Sequence, residues 1–263
     1  MHPYLVNLGF FQLNTYGACM AVGFLLCWTL VERISGRKDL SNLLMSLMLG
    51  GVAGSRIAYV VEHWRAEFAA HPLDVLRIDR GGLMFYGGLV LSLVVFLGWC
   101  IAKREHPLKL ADLFCTFVPL GHACGRIGCF FYGCCYGKLS DSVFAVRFPF
   151  RSPAWYEQFH AGLIDANAPA SLPVLPTQLF EAAALLVLFA ALLALYLRFR
   201  RGTAGAYFIG YAVIRFFLEY LRGDPRAVVL GLSISQAISL GMLLVGCAFL
   251  YLAFRKPAGG SRT

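Results

Sequence analysis

Charge is scarce in this 263-residue chain: 14% of its residues are Asp, Glu, Lys or Arg, where a soluble domain carries about a quarter. With 59% apolar residues and a mean hydropathy of +0.68, that shortage excludes an ordinary soluble domain. No internal repeat is present, which removes solenoids and propellers. Low complexity is confined to the polar end Gly259–Thr263, expected to be disordered. Histidine is sparse and unclustered, and the C-x4-C-C spacing of Cys129, Cys134 and Cys135 is no zinc signature, so neither a metal nor a cofactor is expected. No cleavable leader is expected either. Met1–Leu13 has no basic start and is broken by Pro3 and Asn7, so the first span itself is read as the targeting element, behind an amphipathic lead-in at the outer surface.

What the chain does have is long apolar runs: Asn14–Val31, Ser41–Val61, Tyr86–Ala102, Leu110–Cys124, Ala182–Leu197, Gly205–Leu221 and Ala237–Phe254. About 20 residues cross a bilayer, so flanking residues must complete the shorter ones. The expected fold is an all-α membrane protein, a seven-transmembrane-helix bundle in one domain over 1–263. The fourth span is the weakest, because Pro119 and a glycine-rich stretch follow it. The net charge of +9 is a matter of location and no signal for nucleic acid. Arg33, Arg37, Lys38, Lys103, Arg104, Lys109, Arg198, Arg200 and Arg201 hug helix ends on one side, which places the N-terminus outside and the tail 255–263 in the cytoplasm. Two outside segments exceed mere turns, Trp64–Phe85 and Gly137–Pro176. The second, rich in proline and aromatics, reads as an ordered, outward-facing cap over 137–176 resting on the membrane surface.

Three arginines, Arg56, Arg126 and Arg215, fall inside or against these apolar stretches. A guanidinium stays charged and costs about 2.5–3.5 kcal/mol at a helix centre on insertion scales. Three together imply an anion at membrane depth, and a phospholipid headgroup is the obvious one. Pairing with a membrane carboxylate is the plainer alternative for any one of them. Tyr211, Arg215, Glu219 and Arg222 follow at i, i+4, i+8 and i+11, one helical stripe that must face the protein interior. It forms either a self-satisfied Arg215–Glu219 pair or a phosphate pocket in which Glu219 positions Arg215.

Gly50, Gly51, Gly54 and Ser55 precede Arg56 and allow close helix approach. The pairs Gly81–Gly82 and Gly87–Gly88 suggest a re-entrant turn with Tyr86 at its lip, as interfacial anchor or catalytic group. Gly121–Gly137 packs five glycines and four cysteines around Arg126. Its backbone amides could hold phosphate oxygens beside the guanidinium. His122, four residues before Arg126, is a candidate general base or a hydrogen-bonded bystander. Cys19, Cys27, Cys100, Cys115 and Cys247 behave as small hydrophobes. For Cys129, Cys134 and Cys135, packing or a disulfide ranks first, a reactive thiol second and a metal third.

These blocks resemble the prolipoprotein diacylglyceryl transferase family along most of the chain. The resemblance rests on Tyr16-Gly17, Gly54-Ser55-Arg56-Ile57-Ala58-Tyr59, Gly81 to Leu89, Gly125-Arg126-Ile127-Gly128, Pro176-Thr177-Gln178-Leu179-Phe180-Glu181, and Gly210-Tyr211 through Arg215, Glu219 and Arg222. It implies a seven-helix enzyme of the bacterial plasma (inner) membrane. Such an enzyme moves diacylglyceryl from phosphatidylglycerol to the cysteine thiol of a prolipoprotein lipobox and releases glycerol phosphate. By the same resemblance Arg126 and Arg215 are the key functional groups, and Tyr16, Gly137, Tyr211, Glu219 and Arg222 match other site positions.

The family's H-G-G-L stands here as Tyr86-Gly87-Gly88-Leu89, without the histidine proposed as thiol base. Its G-R-x-G-N-F-x-N-G-E stands as Gly125 to Cys134, with Cys129, Tyr132 and Cys134 replacing two Asn and a Glu. The expectation is therefore that Arg126 and Arg215 keep phosphate recognition, while acceptor handling is rebuilt around Cys129, Cys134, Tyr86 or His122, with Arg56 a further substrate contact. A paralogue with another acceptor, a non-catalytic lipid binder and a membrane thiol-redox protein are the alternatives.

Overall fold

The computed structural model describes residues 4–7, 12–69, 71–77, 82–224, 228–229 and 231–255. Among them are seven helices long and apolar enough to cross a membrane, as the hydropathy pattern requires. The chain opens with an antiparallel pair, β1 (Tyr4–Asn7) and β2 (Gln12–Asn14), where the sequence suggested an amphipathic lead-in. The spanning helices are α1 (Thr15–Ser35), α2 (Leu40–His63), α3 (Phe85–Lys103), α4 (Pro107–Tyr132), α6 (Thr177–Phe199), α7 (Thr203–Leu218) and α8 (Ile234–Phe254). A short α5 (Pro153–His160) lies between α4 and α6, and a ladder of β3 (Val228–Val229) and β4 (Leu232–Ser233) precedes α8. Gly81 and the tail 256–263 lie outside the described residues.

Two compact units emerge, Met1–Leu30 with Ala111–Thr263, and Val31–Leu110. In the second, α2 and α3 lie backbone to backbone. A side chain on Gly54 would run into the carbonyl of Gly87, and one on Gly88 into Ser55. Small residues permit this approach, which supplies packing where lipid offers no hydrophobic gain. The expected re-entrant turn is not formed at Gly87–Gly88, because both are helical and face α2. Nor does α2 stop near Val61: it continues through a π-turn, Trp64–Phe68, before a 3-10 turn at Pro72–Leu76.

In the first unit the largest departure concerns α4. The helix runs through Pro119 and the glycine-rich stretch to Tyr132, so those amides are occupied within a helix and do not form a phosphate cradle. The reason is the spacing of the glycines. Gly121, Gly125 and Gly128 share one face, and added side chains there would meet Cys27 at 3.3 Å, Met20 at 3.0 Å and Tyr16 at 3.0 Å. The glycines are a groove for α1, and the packing outweighs their poor helix propensity.

Helix starts are fixed by side chains. Asp112, buried within α4, accepts the amides of Gly202 (3.0 Å) and Ala204 (2.8 Å) at the start of α7. A carboxylate there satisfies orphan amides and meets the positive end of the helix dipole. Ser233 and Gln236 form a reciprocal capping box on α8.

The segment 137–176 is folded. Val146 and Val174 exchange backbone hydrogen bonds, Ser152 caps α5, and Phe148, Ala154, Val174 and Tyr136 form a small core of their own.

Candidate active site

The polar centre of the first unit gathers around Glu181, fully buried one turn into α6. Its Oε1 forms an ion pair with Arg126 Nη2 at 3.0 Å and accepts from the Tyr211 hydroxyl at 3.5 Å, with His122 Nε2 at 3.8 Å. Arg126 also donates through Nε to His122 Nε2 at 3.3 Å, the i, i+4 relation expected from the sequence. That bond engages the imidazole nitrogen a general base needs. The His122 ring meets Tyr211 edge-on at 5.0 Å.

One turn beyond Tyr211, Arg215 Nη2 forms an ion pair with Glu219 Oε2 at 2.8 Å and donates to Ser235 Oγ at 2.9 Å. The Arg215–Glu219 pair thus forms as the spacing implied. Its Nη1, and Oε2 of Glu181, are buried without a hydrogen-bond partner among the described residues. Unsatisfied buried polar atoms cost about 1–3 kcal/mol each.

The stripe ends sooner than its periodicity suggests. α7 stops at Leu218, a 3-10 turn carries Glu219–Leu221, and Arg222 is already extended. Arg222 instead pairs as a bridge with Gly137, and its guanidinium forks onto Asp224 at 2.8 and 2.7 Å. Burial opposes that charge, yet the Asp224 carboxylate pushes the Arg222 pKa further up. Gly137 accommodates the bridge because a β-carbon would lie 2.7 Å from both the Leu221 carbonyl and Thr177.

Cys129, at the last turn of α4, and Cys134 and Cys135, just beyond it, face one another as free thiols. Of the two readings ranked first together, packing or a disulfide, the disulfide is not formed. Hydrogen bonds from the Cys129 and Cys134 thiols hold Cys135 well below the usual thiol range, with Arg222 adding its charge. Tyr16, at the start of α1, lies against Gly128, two residues after Arg126 on α4.

Arg56 and Tyr86 belong to the other unit. The Arg56 guanidinium donates to the carbonyls of Val75 (2.9 Å), Asp74 (2.7 Å), Arg77 (3.0 Å) and Gly82 (3.2 Å), and sits over the Phe68 ring at 5.2 Å. Backbone carbonyls meet it where an anion was expected, so Arg56 ties the Asp74, Val75 and Arg77 carbonyls to that of Gly82. Tyr86 is 62% exposed and its ring contacts Phe85. Two residues of the polar centre, Glu181 and Ser235, and the cap residue Asp112 carried no individual weight in the sequence. For Glu181 and Asp112 a signal existed, a carboxylate inside an apolar helix.

A helical, multi-pass membrane protein with two buried arginine–carboxylate pairs, one between α4 and α6 and one along the end of α7, is a class that keeps charged groups within apolar helices. Residues 3–252 match the prolipoprotein diacylglyceryl transferase family, and the chain belongs to it. It is similar to the phosphatidylglycerol–prolipoprotein diacylglyceryl transferase of Burkholderia cenocepacia (strain HI2424), with 31% identity over 98% of this chain and 97% of that protein. The proteins of the same name from Burkholderia lata (32%, covering 98% and 97%) and Bordetella bronchiseptica (32%, covering 97% and 96%) are similar over comparable lengths.

Proposed function

We propose that this protein transfers the diacylglyceryl group of phosphatidylglycerol to the cysteine thiol of a prolipoprotein lipobox, releasing glycerol phosphate. The observation that carries the reading is the convergence of Arg126 and Arg215 in one buried polar centre, the latter with an unpartnered Nη1. In such a reaction the acceptor sulfur forms a bond to the glycerol carbon, the carbon–oxygen bond to phosphate breaks, and the phosphate takes the electron pair. Preorganised donors aimed at that developing charge act strongly in a dry site. Glu181 and Glu219 fix the two guanidinium planes, while Tyr211 and His122 hold Glu181 and Arg126 in place. Cys129, Cys134, Gly137, Tyr16 and Arg222 form the neighbouring surface on which an acceptor is handled. The membrane is the bacterial plasma membrane, N-terminus outside and C-terminus cytoplasmic. The names of the similar proteins support the substrates, and the basic residues at helix ends support the orientation.

Purified protein in phosphatidylglycerol-containing micelles, given a lipobox peptide, tests the reaction by the mass gained on the peptide cysteine. Arg126→Ala and Arg215→Ala are each expected to lower kcat/KM by about 10²–10³. Lysine replacements are expected to rescue poorly, because the planar fork is lost. Normal turnover in both alanine variants would overturn the reading. Failure of the wild-type gene to support growth of a strain lacking the transferase, with intact membrane expression, favours another acceptor. Loss of the thiol cluster with transfer retained would exclude a redox protein.

A further inference from the structure

The sulfur atoms of Cys129, Cys134 and Cys135 all lie within 4.8 Å of one another, and they are the one such group of three metal-ligating side chains among the described residues. Sequence spacing hid this, because the ring is closed by backbone turns. Gly133, at φ +84°, ends α4 with its amide on the Cys129 carbonyl (2.9 Å), and Cys135 itself sits at φ +65°. A left-handed conformation at a residue with a β-carbon costs about 1–3 kcal/mol and persists where surroundings impose it. Here two fully buried side chains of α6 impose it. Gln178 Nε2 donates to the Cys134 carbonyl at 2.7 Å and Thr177 Oγ1 to the Cys135 carbonyl at 2.9 Å. The main chain is tied down and the three thiols are left turned toward one another.

Three thiolates about 2.3 Å from a tetrahedral zinc ion stand roughly 3.8 Å apart. The sulfurs are close enough for an ion to seat by small side-chain rotations. Soft sulfur donors with no carboxylate or histidine among them select zinc-type and copper(I)-type ions over magnesium or calcium. We propose that Cys129, Cys134 and Cys135 hold a zinc-type thiophilic metal ion whose fourth position receives the thiol of the acceptor cysteine. The second half rests on the transferase reading above. It answers a need of that reaction, since the imidazole nitrogen of His122 is engaged by Arg126. A thiol that binds such an ion is deprotonated outright. Its S–H proton passes to water, and its sulfur lone pair then attacks the glycerol carbon. The C–S bond forms as the C–O bond breaks, glycerol phosphate leaves with the electron pair, and the metal does not change valence.

Full-length protein in detergent, reduced and then stripped with a chelator, is titrated with Cd(II) as probe. One equivalent per chain is expected to raise a thiolate-to-cadmium ultraviolet band and to shield three of the nine thiols from a thiol reagent. The combined variant C129S/C134S/C135S is expected to lose the band, and C247S, in α8, to keep it. No saturable band, or a band surviving in the triple variant, overturns the site. Should the triple variant not fold, C134S alone decides it: at least a tenfold loss of Cd(II) affinity supports the site, and unchanged affinity overturns it. Stripping is expected to lower transfer to a lipobox peptide at least tenfold, with Zn(II) restoring it, and an unchanged rate overturns the acceptor role. R126A is expected to bind Cd(II) normally while losing transfer. A protein that never transfers thus refutes the transferase reading while the Cd(II) titration still judges the site.

Discussion

Arg126 Nη2 and Glu181 Oε1 lie 3.0 Å apart, and the carboxylate has no solvent exposure. Two charges so placed gain little stability over an apolar pair, because desolvation offsets their attraction. Their value is geometric. The carboxylate sets the plane of a guanidinium that His122 also holds through Nε.

Removing one partner is a different matter from replacing both. Glu181→Ala strands a buried guanidinium and is expected to cost about 3–5 kcal/mol. Glu181→Gln retains an acceptor and should cost clearly less. Thermal unfolding in micelles measures both, and equal melting temperatures for wild type and Glu181→Ala would refute the arrangement.

Asp112 predicts a separate effect at the far end of α7. Asp112→Ala deprives the Gly202 and Ala204 amides of their acceptor. A loss of about 2 kcal/mol follows, from the cap and from charge-assisted bonds. Hydrogen exchange should show it first at the initial turn of α7, and no change in protection there would count against the cap.

Gly137 offers no room. Gly137→Ala places a β-carbon 2.7 Å from the Leu221 carbonyl, which belongs to the backbone and cannot turn aside. The bridge to Arg222 should open, making 137–176 more sensitive to limited proteolysis than in wild type. Undiminished protease resistance would contradict this.

Tyr136 gives the 137–176 core a dependence on alkaline pH. Burial raises its pKa first, and the hydrogen bond to Glu157 Oε2 at 2.5 Å raises it further. A folded-state value above the unfolded one, about 10, means the contribution is complete below that pH. It is lost as pH climbs through the higher folded value. The near-ultraviolet signal of this segment should hold to about pH 10 and fall above it. Tyr136→Phe should remove that part of the transition and cost about 1.5–3 kcal/mol at neutral pH.

How much of this was legible beforehand differs by residue. The seven spans follow from hydropathy, and the contacts Arg126–His122 and Arg215–Glu219 follow from helical spacing, because both are local. Cys129, Cys134 and Cys135 show the limit. Their spacing matches no metal motif, and two left-handed residues, Gly133 and Cys135, close the ring. Arg222 shows another, since a stripe extrapolated from α7 took no account of the turn at Glu219.

By itself, then, the order of residues determined the number of membrane-crossing helices, the placement of charge inside them and the family blocks, since burial of apolar length and period-3.6 geometry act along the chain. Only the tertiary structure decided that Glu181 faces Arg126, that Arg56 meets carbonyls, and that the glycines beside Arg126 form a packing groove for α1. Those outcomes depend on which distant backbone approaches, and one glycine allows either a loop or a helix contact until a neighbour arrives to choose.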